Sequence, residues 1–251
     1  MARTPLSFWK TTLLYSLILA FVSVMISTPP GWTQDDLTSA RSRRRGAAAR
    51  PRRGLCPAAK LPLTALILAA QSNSLTAEQP LDVTVAEHPT FWFYVPYSPD
   101  ARFSAEFVLI DENEQDVYKT TFSLKQKPGI IGLKIPEMLP PLQTGKRYQW
   151  VFSIVCDPNN RSGDATVNGE IERIPLNSTL QTQLESVSTP SERVSLYAQN
   201  GLWYEALTSL AQLRRNNLQN STLQADWSSL LKSMNLNDIA SEPLTSCCIT
   251  D

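Results

Sequence analysis

One stretch of nine residues, Tyr148–Cys156, constrains this chain more than any other. Tyr148, Trp150, Phe152, Ile154 and Cys156 alternate with Gln149, Val151, Ser153 and Val155. A two-residue period belongs to a β-strand, whose successive side chains point to opposite faces. The period therefore places every bulky ring of the stretch on one face. A helix would scatter the same rings around its circumference. The stretch predicts the spine strand of a small β-sandwich.

The surrounding sequence is built for the same architecture. Leu63–Ala69 is an apolar run too short to span a membrane and is expected to be a first, buried strand; Leu81–Val85 is a candidate short strand. Thr90–Val95 (T-F-W-F-Y-V) is apolar on both faces, as a central strand would be, and Pro96 and Pro99 end it. Phe103–Ile110 alternates, Asp111–Asp116 makes a polar turn, and Val117–Leu124 returns as the second arm of a hairpin. Ile131, Leu133 and Ile135 mark the next strand. After the spine, Asp157–Asp164 is rich in turn formers and Thr166–Ile174 closes a second hairpin. About seven strands at regular spacing predict an immunoglobulin/fibronectin-like β-sandwich over residues 54–176. The piece L-Q-T-G-K-R-Y-Q-W resembles the tyrosine-corner region of fibronectin-type domains, which implies that the Tyr148 hydroxyl anchors the preceding loop. Cys156 lies eight residues after that tyrosine, not the two of antibody-type domains.

The period changes after Pro175, and residues 177–251 are expected to be helical. Thr189-Pro190-Ser191-Glu192 is a helix start: a capping threonine, proline at the first helical position and glutamate at the third. Tyr197, Gly201, Trp203, Ala206 and Leu210 have the spacing of a tetratricopeptide-like helical hairpin, about one repeat long. Ser221 followed by Gln224 is a second start, for a helix carrying Trp227, Leu230 and Leu231. A single repeat cannot bury its own apolar face. These helices are expected to pack on the sandwich or on a partner.

The first 53 residues are of another kind. Arg3 and Lys10 precede the apolar run Leu13–Ile26, and Thr28-Pro29-Pro30 stops it. Residues 1–30 therefore predict a secretory signal peptide or, since no A-x-A site marks cleavage, an N-terminal anchor. Residues 31–53 hold seven arginines within Arg41–Arg53 and no hydrophobic period, the composition of a disordered spacer. The formal charge of zero hides this division: the part up to Arg53 has nine Lys+Arg and two Asp+Glu, a net of +7, and the rest a net of −7. An acidic folded part argues against a nucleic-acid partner. Contact with a membrane is expected only through the N-terminal segment or the arginine-rich spacer.

Several segments in order (T-F-W-F-Y-V-P, A-E-F-V-L-I-D-E, Y-K-T-T-F, P-G-I-I-G-L, G-K-R-Y-Q-W-V-F-S-I-V-C, G-L-W-Y-E-A-L and a terminal C-C) resemble a cyanobacterial family of exported proteins carrying domain of unknown function 928. The resemblance covers about Gly54 to Cys248. It implies an exported protein of the periplasm, cell envelope or extracellular space, and brings no activity, cofactor or catalytic residue with it.

The chain has four cysteines and one histidine. A zinc site is poorly supported by such a set, and no metal or other cofactor is expected. In an exported chain, a Cys56–Cys156 bridge would tie the domain's entry to the end of its spine. Cys247 and Cys248 are then a vicinal pair, free thiols or contacts to another chain; bridges from them to Cys56 and Cys156 are the rival pairing. His88, which a hydrolase would need, precedes Pro89 at a strand entry, and no G-x-S-x-G accompanies it. The acidic turns Asp111–Asp116 and Asp157–Asp164 lack the EF-hand spacing and are explained by turn chemistry. Among the aromatics, Trp92 and Tyr94 share a strand face and are candidates for stacking on a sugar, with core packing as the alternative. Trp203 and Tyr204 are candidates for a partner groove.

These features predict a non-enzymatic, exported protein-interaction module of the cell envelope with an envelope protein as partner. The alternative is a carbohydrate-binding envelope protein whose strand aromatics meet a polysaccharide. A hydrolase is the remaining class and is the least supported.

Overall fold

Two β-sheets face one another across a core of aromatic rings, and helices cover the outer face of the smaller sheet. The computed structural model describes residues 56–68, 81–100, 102–125 and 127–245. The N-terminal apolar run, the arginine-rich spacer and the Cys247–Cys248 pair lie outside the described residues. All described residues belong to one compact unit, Thr33–Asp251. No helix among them is long and apolar enough to cross a membrane.

The strands are β1 (Thr64–Ala65), β2 (Asp82–Thr84), β3 (Thr90–Val95), β4 (Ser104–Ile110), β5 (Asp116–Ser123), β6 (Gly129–Lys134), β7 (Arg147–Val155) and β8 (Ala165–Arg173). One sheet has the order β1-β3-β6, the other β2-β8-β7-β4-β5. The spine stretch is β7, central in the larger sheet, with Trp150, Phe152 and Ile154 fully buried on its inner face. Across the core, Phe93 stacks on Phe152 at 4.1 Å between ring centroids, and Phe91 lies 4.9 Å from Phe107. The Tyr148 hydroxyl accepts the Gln143 N–H at 2.9 Å, tying the loop before β7 to its first turn of pleat.

Strand β3 is buried along its whole length because it is covered twice. Phe91, Phe93 and Val95 face the larger sheet, while Trp92 and Tyr94 face the helices. Two glycines make room for two tryptophans. Gly132 lies opposite Trp92 on β6, where a Cβ would come within 2.8 Å of the indole. Gly169 lies opposite Trp150 on β8, where a Cβ would come within 2.5 Å.

The helices are α1 (Ser178–Ser186), α2 (Pro190–Gln199), α3 (Trp203–Asn216) and α4 (Ser221–Ser233). Thr189 closes the expected capping box with Glu192 at the start of α2. Gly201 takes φ +74° in the turn between α2 and α3, a conformation open to glycine. Leu207, Leu210 and Ala211 of α3 and Trp227 and Leu231 of α4 pack with Trp92, Tyr94 and Ile130 of the small sheet. The apolar face that one hairpin could not bury alone is thus buried on the sheet.

Four details differ from the sequence reading. The first strand is only Thr64–Ala65, although Leu66 and Ile67 are also buried. Strand β2 joins β8 in parallel, making an eighth strand at the sheet edge. Helix α1, inside the region expected to be helical, is additional to the expected hairpin and single helix; Asn177 caps it by accepting the N–H groups of Thr179 and Leu180. The cap of α4 is Asn220, one residue earlier than expected, accepting from Thr222 and Leu223.

Candidate cleft at the end of strand β3

The Cys56–Cys156 disulfide is formed, joining the start of the described fold to the residue after β7, with a sequence separation of 100. The Cys56 N–H also donates to the Gly163 carbonyl at 3.1 Å. This double attachment fixes the start of Pro57–Leu61, which forms one wall of a cleft of about 650 Å³. The second wall is the end of β3 and the loop after it, Tyr94 to Phe103. Pro96 breaks the strand there, and the Phe103 N–H closes a turn on the Asp100 carbonyl at 3.0 Å. The third wall, with Asp238, Ser241 and Glu242, comes from the chain after α4. It is held against β6 by two backbone bonds: Ile130 N–H to Pro243 O, 2.7 Å, and Thr245 N–H to Ile130 O, 2.8 Å.

The floor is aromatic and the rim charged. Tyr97 and Phe103 meet edge to face at 6.2 Å, and the Arg102 guanidinium lies 5.6 Å from the Phe103 centroid. Arg102 grips Asp100 through Nε (3.0 Å to Oδ1) and Nη2 (2.7 Å to Oδ2). That hydrogen-bonded pair pulls the Asp100 carboxyl down to about 2. Burial pushes the Tyr97 phenol up. Burial also raises Tyr94, helped by the carboxylates of Glu242 and Asp238 and by the hydrogen bond its hydroxyl donates to Glu242. The residues Tyr94, Tyr97 and Phe103 line the cleft, yet each is more than nine-tenths buried, so little ring surface is open to it. Such a lining offers donors, acceptors and both signs of charge around a rigid proline- and tyrosine-rich surface.

The residues singled out in the sequence are dispersed. Tyr94 reaches the cleft. Trp92 does not: it shares a face with Tyr94, but α3 and α4 cover that face, and its indole N–H donates to Thr208 Oγ1 at 3.1 Å. With 4% and 5% of their surface exposed, Trp92 and Tyr94 present no open stacking platform. Tyr204 is buried in the sandwich core, edge-on to Phe91 at 5.5 Å, and Trp203 is half-buried on the helical side. The groove that Tyr204 fills therefore belongs to its own chain. His88 does not line the cleft; its Nε2 donates to the Leu139 carbonyl at 2.9 Å.

The acidic turns are self-satisfied. Asp111 Oδ1 accepts the N–H groups of Asn113 and Gln115, and Asp157 Oδ1 accepts that of Asn159. Among the described residues, no group of three or more His, Cys, Asp or Glu is placed to hold a metal ion.

Tyr97, one of the strand-end aromatics open to a stacking role in the sequence, lines the cleft beside Tyr94, whereas sequence reasoning missed the cleft residues Asp100, Arg102, Phe103 and Glu242. The one local signal for Asp100, Arg102 and Phe103 is the D-x-R-F pattern after two prolines, and Glu242 has none. It also missed Glu205, whose Oε1 accepts the Thr84 hydroxyl (2.5 Å) and the N–H groups of Val85 (2.9 Å) and Ala86 (3.2 Å), fastening α3 to the end of β2.

No curated protein matches the sequence. A family model does match, from residue 45 to residue 244, across the sandwich, the helices and all three walls of the cleft. The chain belongs to the family described as Domain of Unknown Function DUF928.

Proposed function

We propose that this protein is an exported, non-enzymatic component of a cyanobacterial cell envelope that works as a protein-interaction module, and that the cleft at the end of β3 receives an extended segment of a partner protein. The observation that carries the binding reading is the lining of that cleft: prolines and tyrosines held in place by the disulfide and by the C-terminal segment, with Lys60, Asp238 and Glu242 on the rim. Rigid, amphipathic side chains lose little conformational entropy on binding and suit a backbone that brings both donors and acceptors. Sugar stacking needs open ring faces, and here the three rings of the lining, Tyr94, Tyr97 and Phe103, are each more than nine-tenths buried. That makes a polypeptide a better occupant than a polysaccharide.

The disulfide supports export, because such bonds persist in oxidising compartments such as the periplasm. The signal-like N-terminal run and the family resemblance support the same address. We read the two sheets as an immunoglobulin/fibronectin-like sandwich, supported by the Tyr148–Gln143 bond of the tyrosine-corner type. We read α2 and α3 as a tetratricopeptide-like hairpin, supported by the Gly201 turn between them. Both readings are analogies of architecture and carry no activity by themselves.

The test compares capture from the native envelope fraction by the tagged protein and by a Ser241→Trp/Glu242→Lys variant that melts at the same temperature. The proposal expects one envelope protein captured by the former and lost by the latter. Equal capture by both would refute the cleft. Loss of purified polysaccharide binding, with no protein captured, would replace the polypeptide reading by the carbohydrate one.

A further inference from the structure

Two Asn-Gly steps occur in the chain, Asn168–Gly169 and Asn200–Gly201. Such a step carries its own chemistry. A glycine nitrogen is not crowded by a side chain, so it reaches the Cγ of the preceding asparagine more readily than the nitrogen of another residue does. The fold places the two steps in opposite surroundings.

Asn168 and Gly169 lie mid-strand in β8, opposite Val151 and Trp150 of β7. Gly169 is buried, and even a Cβ there would stand 2.5 Å from the Trp150 indole, so a ring has no room to form. Asn200 and Gly201 make the turn between α2 and α3. Asn200 is exposed and ends α2 as its C-cap, with φ −94° and ψ 10°. Gly201 takes φ +74°, and a Cβ there would meet nothing within 4 Å. Two hydrogen bonds hold this step: Gly201 N–H to Ala198 O at 3.1 Å, and Asn200 Nδ2 to Leu196 O at 2.8 Å. Both lie at the end of one helix and break by local fraying, whereas freeing Asn168 requires the β7–β8 ladder to open.

We propose that Asn200 is a site of spontaneous deamidation, converting to aspartate and isoaspartate, and that Asn168 is spared in the folded chain. The Gly201 nitrogen bonds to Asn200 Cγ as it gives up its proton, and Nδ2 leaves as ammonia. Water then opens the cyclic imide at one of its two carbonyls. Opening at Cγ leaves aspartate; opening at the backbone carbonyl leaves isoaspartate, with the chain routed through Cβ and Cγ. Either product sets a carboxylate at the C-terminal end of α2, where the helix dipole disfavours negative charge. Either also replaces the donor to the Leu196 carbonyl by an oxygen, and isoaspartate lengthens the turn. The end of α2 loosens irreversibly. Asn200 does not line the cleft, so this inference stands apart from the cleft's function.

The test incubates the full chain at neutral and mildly alkaline pH, folded and in urea, and follows both steps by tandem mass spectrometry. In the folded chain the peptide holding residue 200 is expected to exchange NH2 for OH and to split into two isomers, faster at the higher pH because the amide N–H must ionise. The peptide holding residue 168 is expected to keep its mass until urea unfolds the chain. An isoaspartyl carboxyl methyltransferase should label the incubated wild type and leave Asn200→Gln unlabelled, and the incubated wild type should melt at a lower temperature than incubated Asn200→Gln. Equal conversion at 168 and 200 in the folded chain, or conversion at 200 in urea alone, would overturn the proposal. An unshifted melt of fully converted protein would overturn the loosening of α2.

Discussion

Tyr204 of α3 stands edge-on to Phe91 of β3, 5.5 Å between ring centroids, inside the core formed by the two sheets. The helical layer is therefore keyed into the sandwich. Burial, with the nearby Asp82 and Glu205 carboxylates, pushes the Tyr204 phenol well above its ordinary range, against the opposing pull of the Trp150 indole N–H beside its hydroxyl. Tyr204→Ala is expected to cost about 3–5 kcal/mol, as for other large core rings. Tyr204→Phe keeps the ring, removes only the hydroxyl beside the Trp150 indole and is expected to cost about 0.5–1.5 kcal/mol. Urea unfolding of the two variants checks this; similar losses in both would show that the hydroxyl, not the ring, holds the helix.

The two tryptophan–glycine pairs predict equal sensitivity on opposite sides of the small core. Gly132→Ala and Gly169→Ala each force a methyl group into an indole and are expected to cost ~1–3 kcal/mol. Gly132→Ala should shift the fluorescence of the helix-facing Trp92, and pairing it with Trp92→Leu should recover much of the loss. A thermal melt of Gly132→Ala unchanged from wild type would remove the close approach from the account.

Glu205 satisfies two backbone N–H groups and one hydroxyl at the turn after β2. Glu205→Ala leaves these donors without their acceptor and is expected to cost ~1–3 kcal/mol. Amide exchange at Val85 and Ala86 should accelerate in Glu205→Ala well beyond that of core amides. Unchanged exchange there would mean that water replaces the carboxylate freely.

Burial disfavours the Glu106 carboxylate, but the hydrogen bond and charge of Arg161, with the charge of Lys119, outweigh it and hold the group below its ordinary value of 4.5. A folded pKa below the unfolded one adds stability that is present above the unfolded pKa and lost as pH falls through the folded one. Stability should therefore decline below pH 4.5, and more steeply in the wild type than in Glu106→Gln. Parallel pH profiles of the urea midpoint for the two proteins would contradict this.

Reduction should loosen the fold and the cleft together. The Cys56–Cys156 bond closes a loop of 100 residues, for which chain entropy predicts a contribution of about 4–5 kcal/mol. Differential scanning calorimetry with and without reductant measures it. An unshifted midpoint in fully reduced protein would show that the Pro57–Leu61 wall is held by packing alone.

The sheet was largely legible because alternation is a local signal. Tyr148 to Cys156 announces which side chains go inward, and β7 obeys it. The Thr189–Glu192 box was equally local. Helix α1 was not legible: its buried side chains are only Leu180 and Leu184, a single i,i+4 pair among polar residues, and its start is written in Asn177 alone. Trp203 and Tyr204 are neighbours in sequence but about 100° apart around a helix, so one turns into the core while the other stays at the side. Which layer covers Trp92 depends on α3 and α4, more than a hundred residues away. The cleft is least legible of all, since residues 57–61, 94–103 and 238–242 meet only after both sheets and all four helices have packed.

The most direct test of the cleft as a recognition site is photo-crosslinking in intact cells from single positions. Ser98 and Ser241 lie on its lining and are exposed, whereas Met138 is 91% exposed and does not line it. With a photoreactive residue at each position, the account predicts that Ser98 and Ser241 label the same envelope protein through one extended peptide and that Met138 does not. Labelling that is absent from both cleft positions, or equally strong from Met138, would contradict it.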